Sequence, residues 1–223
     1  MRGEINPTPA TLSANLGLLS LTQWLSPSFP LGAFAYSHAL ELAITEGKVN
    51  DAATLKAWLS DTLAYGGGKV DAWLLAMTLA GGDPRDLADL AEALAGTRER
   101  WMETSDQGAA FVRTVAQMGG PEIASCALPV AVGQAARALD VDAETVIALY
   151  LHSFTANLVS AAVRFVPLGQ SAGQSVLAGL HDQIAAQARA ALGATVEGLT
   201  TSAFVADLGA AQHEDMDVRL FKS

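Results

Sequence analysis

What is scarce in this chain removes several classes of function. It has a single cysteine, Cys126, in 223 residues. Neither an internal disulfide nor a cysteine zinc cage can form, and a reducing compartment is expected, the cytoplasm by default. Positive charge is also short: 13 Lys and Arg face 23 Asp and Glu, a net charge of −10. Nucleic acids and anionic membranes need clustered cations to replace counterions, so neither is an expected partner. No G-x-x-x-x-G-K-[ST] loop or dinucleotide fingerprint occurs, and the one G-x-S-x-G run, residues 169–173, follows no strand pattern. The phosphate cradle is therefore missing, and so is the strand-to-helix turn on which a strained nucleophile sits. Alternating runs of β-branched residues are scarce too, which argues against sheets.

Long uncharged runs are few, and each reads as interior. Residues 145–163 carry no charge and are long enough to span a bilayer, but His152, Ser153, Thr155, Asn157 and Ser160 would fall at its centre. That favours a buried helix. Residues 16–25 followed by Ala33-Phe34-Ala35 have the look of a signal peptide, yet Glu4, Pro7 and Pro9 precede them with Arg2 as the one cation. A leader is not expected.

What remains is helical periodicity cut by glycine and proline. It predicts an all-α fold, a single domain of about nine or ten helices. Residues 1–12, polar with two prolines, read as a flexible segment, 13–210 as the helical domain and 211–223 as a docking tail. Asn50 or Asp51, Asp83 before Pro84, and Asp142 are expected helix caps. Gly66-Gly67-Gly68 reads as a hinge or tight corner, with a short apolar helix over 71–79 after it. Ser171 with Gln174 reads as a capping box opening a helix whose Leu177, Leu180, Ile184 and Ala188 face inward. Arg98, Glu99, Arg100 and Glu103 read as a solvated charge cluster.

Three stretches depart from this plain pattern. Residues 26–41, SPSFPLGAFAYSHALE, hold Pro27 and Pro30, which break any helix, and Gly32, which permits a sharp turn. A new helix is expected from about Ala33. Phe29, Leu31 and Phe34 are too large and apolar for an ordinary exposed loop. The stretch is either a buried helix-to-helix corner or a partner-binding corner. In the central helix, Tyr150, Ser153, Asn157, Ser160 and Arg164 recur three and four apart, so they align as one polar stripe. Such a stripe needs partners, either in an internal network with Arg164 on an acid or across a seam with a second subunit. The small residues of 131–138 offer another surface that a subunit could cover, and a homodimer is expected. The chain ends HEDMDVRLFKS, where Leu220 and Phe221 between Arg219 and Lys222 would gain nothing as a solvated end. That composition suits docking.

Metal and nucleophile chemistry find little support. His38 and Glu41 have an i, i+3 spacing used by metal sites, but nothing completes the three or four ligands needed. His213, Glu214 and Asp215 are a weak adventitious nickel or copper site at most. Cys126 has no basic neighbour in sequence to lower its pKa and reads as an inert thiol.

Residues 26–41, the run 162–174 that begins at the end of the central helix, and the tail resemble the UreF family of urease accessory proteins. Ser26, Pro27, Pro30, Gly32, Tyr36, Ser37, His38, Leu40 and Glu41 match S-P-x-x-P-x-G-x-x-x-Y-S-[QH]-G-L-E, with Ala39 where glycine is usual. Residues 162–174, AVRFVPLGQSAGQ, match every fixed position of A-x-R-x-x-P-L-G-Q-[ST]-x-G-Q, including Arg164, Pro167, Gly169, Gln170 and Gln174. His213, Glu214, Arg219, Leu220, Phe221 and Ser223 fit H-E-x-x-x-S-R-L-F-R-S, while Val218 and Lys222 depart from it. Lysine keeps the charge at 222 but loses the bidentate fork of arginine. The resemblance implies a non-enzymatic scaffold without cofactor: a homodimer that binds UreD, also called UreH, recruits the GTPase UreG and supports nickel delivery to apo-urease. It also implies that the matched residues meet partners, with Lys222 among them. An alternative is a regulator of UreG in which Arg164 or Arg219 enters the GTPase site.

Overall fold

Four helices begin where the sequence supplies a side-chain acceptor for the orphan amides of a first turn. The computed structural model describes residues 9–32, 39–196 and 198. Asp51 forms a capping box with Thr54, its Oδ1 accepting from the Thr54 amide at 2.8 Å while the Thr54 hydroxyl accepts from the Asp51 amide at 3.0 Å. Asp83 accepts from the Arg85 amide at 2.8 Å with Pro84 at the first helical position. Thr97 and Asp142 cap through the amides of Arg100 and Thr145. These caps open α3 (Ala52–Tyr65), α5 (Pro84–Leu94), α6 (Arg98–Gln117) and α8 (Ala143–Phe165). The remaining helices are α1 (Pro9–Trp24), α2 (Leu40–Thr45), α4 (Gly67–Leu79), α7 (Leu128–Ala136), α9 (Gln170–Ala178) and α10 (His181–Ala191). Among the described residues there are ten helices and no strand.

The all-α expectation holds, and several boundaries differ for physical reasons. Helix α1 opens at Pro9, inside the segment read as flexible. Helix α4 starts at Gly67 and not at Asp71. Gly66 closes α3 and opens α4, and a Cβ on Gly68 would stand 3.0 Å from the Leu63 Cα. Close helix approach outweighs the poor helix propensity of glycine there, and the triple glycine is a tight corner. The expected capping box of Ser171 and Gln174 is absent: Gly169 is the N-cap of α9, and both residues lie inside the helix. The single helix read after it is two, α9 and α10, joined at Gly179 and Leu180. Its four inward residues, Leu177, Leu180, Ile184 and Ala188, are buried as expected.

Helix α8 is the axis of the domain, packed on α2, α3, α4, α9 and α10. It alone among the described helices is long and apolar enough to cross a membrane, and half of its apolar stretch is buried in the core. Val146, Ile147, Leu151, Leu158 and Val159 carry that burial, each contributing about 1.5–3 kcal/mol. Beside it α4 packs on α7, and α7 on α6. The contact is close because Gly133 faces Thr78, whose Cβ would lie 2.7 Å from an added methyl. Ala131, Ala135 and Ala136 are buried inside this layer. The small-residue surface is thus covered by the chain's own helices and is not open to a second subunit. Arg137 closes the layer, its Nε donating to the Thr78 carbonyl at 2.7 Å and its Nη2 to that of Gly82 at 3.0 Å. It adds a charged donor to the Thr78 carbonyl, which also accepts from the Gly81 amide at 3.0 Å, and ties in the turn after α4 at Gly82.

Candidate partner-binding surface and the buried charge network

The corner after α1 is anchored by its aromatics. Phe29 is buried against Phe111 with ring centroids 5.8 Å apart, and Trp24 meets the same ring edge-on at 5.8 Å. Leu25 is buried and Leu31 half-buried, while Pro27, Ser28, Pro30 and Gly32 are exposed. Gly32 has φ +75°, which explains a glycine at this point. The reading as a buried corner therefore holds for its apolar side chains, while Pro27, Pro30 and Gly32 lie at the surface. Tyr36, Ser37 and His38, with the expected helix start near Ala33, lie outside the described residues. Glu41 is buried in α2, so it sits beneath this surface and not on it. Ala39 has φ 60°, the one positive φ on a non-glycine among the described residues. The left-handed backbone there is the reason that glycine suits the position.

Under the corner lies a charge network that the sequence reading did not find. Arg100 on α6 donates from Nη2 to Asp71 Oδ1 at 2.6 Å and from Nη1 to Glu103 Oε2 at 3.0 Å. Tyr150 on α8 donates to Asp71 Oδ2 at 2.8 Å, and Gln107 Nε2 to Glu103 Oε1 at 3.1 Å. Asp71 and Glu103 are buried, and the Arg100 side chain is only 16% exposed. Of the charges at the start of α6, Arg100 and Glu103 are thus not on a solvated face, whereas Arg98 is exposed as expected. Burial opposes the charge on Arg100, but the Asp71 and Glu103 carboxylates outweigh it and hold the guanidinium pKa above its ordinary value. Burial, and then the Asp71 carboxylate, push the Tyr150 phenol well above its usual pKa, so it stays a neutral donor.

A cavity of about 40 Å³ adjoins the network, bounded by Leu25 and Leu31 of the corner and by Ser153, Phe154 and Asn157 of α8. That is room for two or three water molecules. Ser153 donates to the Leu25 carbonyl at 2.6 Å, tying corner to central helix. The polar stripe therefore divides. Its first members, Tyr150 and Ser153, serve an internal network, and Asn157 lines the cavity. Arg164, two turns on, is exposed.

At the end of α8 the second motif stretch forms a surface ridge. Arg164, Phe165, Pro167, Gly169, Gln170 and Gln174 are all exposed. Gly173 is different: a Cβ there would lie 2.6 Å from Val163 Cγ1, so this glycine lets α9 cross closely over α8. Corner and ridge thus lie along one helix, about 16 Å from Ser153 to Arg164 at the α-helical rise. The residues of the last stretch, His213, Glu214, Arg219, Leu220, Phe221, Lys222 and Ser223, lie outside the described residues. Cys126 is half-buried, and burial pushes its thiol up to about 11 despite a hydrogen bond from Gln134. It is no nucleophile at neutral pH. No cluster of three or more metal-ligating side chains occurs among the described residues.

The fold and this surface define an all-α domain whose buried charges join helices together and whose exterior carries Pro27, Pro30 and Gly32 of the corner and the ridge after α8. Comparison with known proteins gives the class a family: the UreF family model matches residues 49–181, and the chain belongs to the UreF family. It is 55% identical over 206 residues to the urease accessory protein UreF of Cereibacter sphaeroides strain KD131, covering 92% of this chain and 98% of that one. It is 49% identical over 208 residues to the protein of that name from Jannaschia sp. strain CCS1, covering 93% and 94%. To that of Rhodopseudomonas palustris strain BisA53 it is 44% identical over 232 residues, covering 96% and 98%.

Proposed function

We propose that this chain is a urease accessory scaffold that bridges UreD and the GTPase UreG and supports nickel insertion into apo-urease, acting as a cytoplasmic homodimer without catalysing a reaction itself. Family membership supports the general role. The exposed ridge carries the docking reading, because Arg164, Gln170 and Gln174 present a cation and two amides at the surface. Leu16 and Leu19, 65% and 67% exposed and one turn apart on α1, are the apolar pair that a second copy would cover. Arg219, Leu220, Phe221 and Lys222 add two anchors between two cations. Burying Phe221 in a partner is worth about 2 kcal/mol or more.

Deletion of residues 217–223 tests the reading. The expected result is unchanged helicity and melting temperature with loss of co-purification with UreD, and with it of UreG. A truncated chain that still assembles with both partners overturns the docking role of the tail. A melting point many degrees lower assigns the tail to the core. The exposure of Arg164 favours a second reading, in which it enters the UreG site. That reading requires GTP turnover to rise by orders of magnitude on mixing, and to fall back in Arg164→Ala.

A further inference from the structure

Two of the four histidines meet away from every motif stretch. His152, in the middle of α8, and His181, the first residue of α10, have ring centroids 5.4 Å apart with planes inclined by 47°. Two imidazoles sharing one tetrahedral ion at metal–nitrogen distances of about 2.0–2.1 Å have centroids about 5.2 Å apart. The spacing on the protein is compatible with a pair of imidazoles sharing one ion, as it is with a plain ring contact at about 4.5–7 Å. One turn away on either side of His152 stand Ala148 and Ala156, and one turn beyond His181 stands Ala185. None of these has a side chain long enough to fill the seam. His152 is half-buried and His181 exposed, so the ion would be reachable from solvent and would complete its shell with water.

We propose that His152 and His181 form a divalent transition-metal site at the α8–α10 seam, suited to imidazole-preferring ions such as zinc, nickel or copper. Imidazole must be neutral to ligate. Opposing the ion is the positive end of α10, and offsetting that is Asp182, the next residue in its first turn. With two protein ligands the site is weaker than the three- and four-ligand sites of resident zinc. Micromolar affinity is the expectation, fitting a site that exchanges its ion. The scaffold reading does not require this site, so either stands if the other fails.

Zinc is the probe: titration of the metal-free full chain at pH 7.5 by calorimetry, alongside His181→Ala and the double variant His152→Ala with His181→Ala. The wild type should bind a zinc equivalent that the double variant loses, with affinity falling at least tenfold in His181→Ala. His181 is exposed, so that single variant keeps its fold even if the double variant does not. Zinc should also raise the melting temperature of the wild type but not of His181→Ala. Equal zinc stoichiometry and affinity in all three proteins would overturn the proposal, as would a wild type that binds no zinc.

Discussion

The Tyr150 phenol donates to Asp71 Oδ2 at 2.8 Å while Arg100 occupies the other oxygen of the same carboxylate at 2.6 Å. One buried acid thus joins α8, α6 and α4. Because two carboxylates face one guanidinium, Arg100 is the member whose loss leaves most charge uncompensated. Arg100→Met should cost about 3–5 kcal/mol, whereas Tyr150→Phe should cost about 1.5–3. Urea unfolding of both variants checks the order, and a Tyr150→Phe loss equal to that of Arg100→Met would show that the cation is not the centre.

Glycines separate by what surrounds them. A Cβ at Gly108 would stand 1.8 Å from the Cys126 carbonyl oxygen, whereas among the described residues nothing lies within 4 Å of one at Gly32. Gly108→Ala must move backbone and should destabilise by more than 3 kcal/mol, or prevent folding. Gly32→Ala meets only the penalty of its positive φ, about 1 kcal/mol. Melting temperatures of the two variants measure the contrast.

Ala39 has φ 60° and is almost wholly buried, so two effects oppose each other there. Ala39→Gly relieves about 1–2 kcal/mol of left-handed strain and removes one buried methyl worth about 0.8. The net change should be small and stabilising, up to about 1 kcal/mol. Ala39→Val, β-branched at positive φ, should instead destabilise by several times that. Chemical denaturation of the pair reads the sign; a less stable glycine variant would mean that the methyl outweighs the strain.

His152 links stability to pH. Its folded pKa lies below the ordinary 6.5 because of burial and then His181, so the unfolded chain binds the proton more readily. The stabilisation from the neutral ring is complete above about pH 6.5 and is lost as pH falls through the folded value. In the presence of a chelator, the drop in urea midpoint from pH 7.5 to 5.5 should be smaller in His152→Gln than in the wild type. An equal drop in both would assign the acid sensitivity to other groups.

Much of the architecture was legible in residue order, because caps and periodicity are local. Asp51, Asp83 and Asp142 announce three helices through side chains that reach amides two or three residues on, and the 3.6-residue period marks the buried faces of α8 and of residues 177–188. The motif stretches were equally readable as deviations, since proline, glycine and aromatics together are unusual for a loop. Tertiary structure alone decided which polar residues are structural. Asp71, Arg100 and Tyr150 are 29 and 50 positions apart in the chain, and nothing local distinguishes Arg100 from its solvated neighbour Arg98. Packing brings the three together, and once water is excluded a charge either finds its partner or unfolds the site. In the same way, the small residues of α7 could not reveal from sequence whether a neighbouring helix or a second subunit covers them, because a close-packed surface has the same composition in either case. Which surface is left open depends on the whole bundle closing, a long-range property that no window of sequence contains.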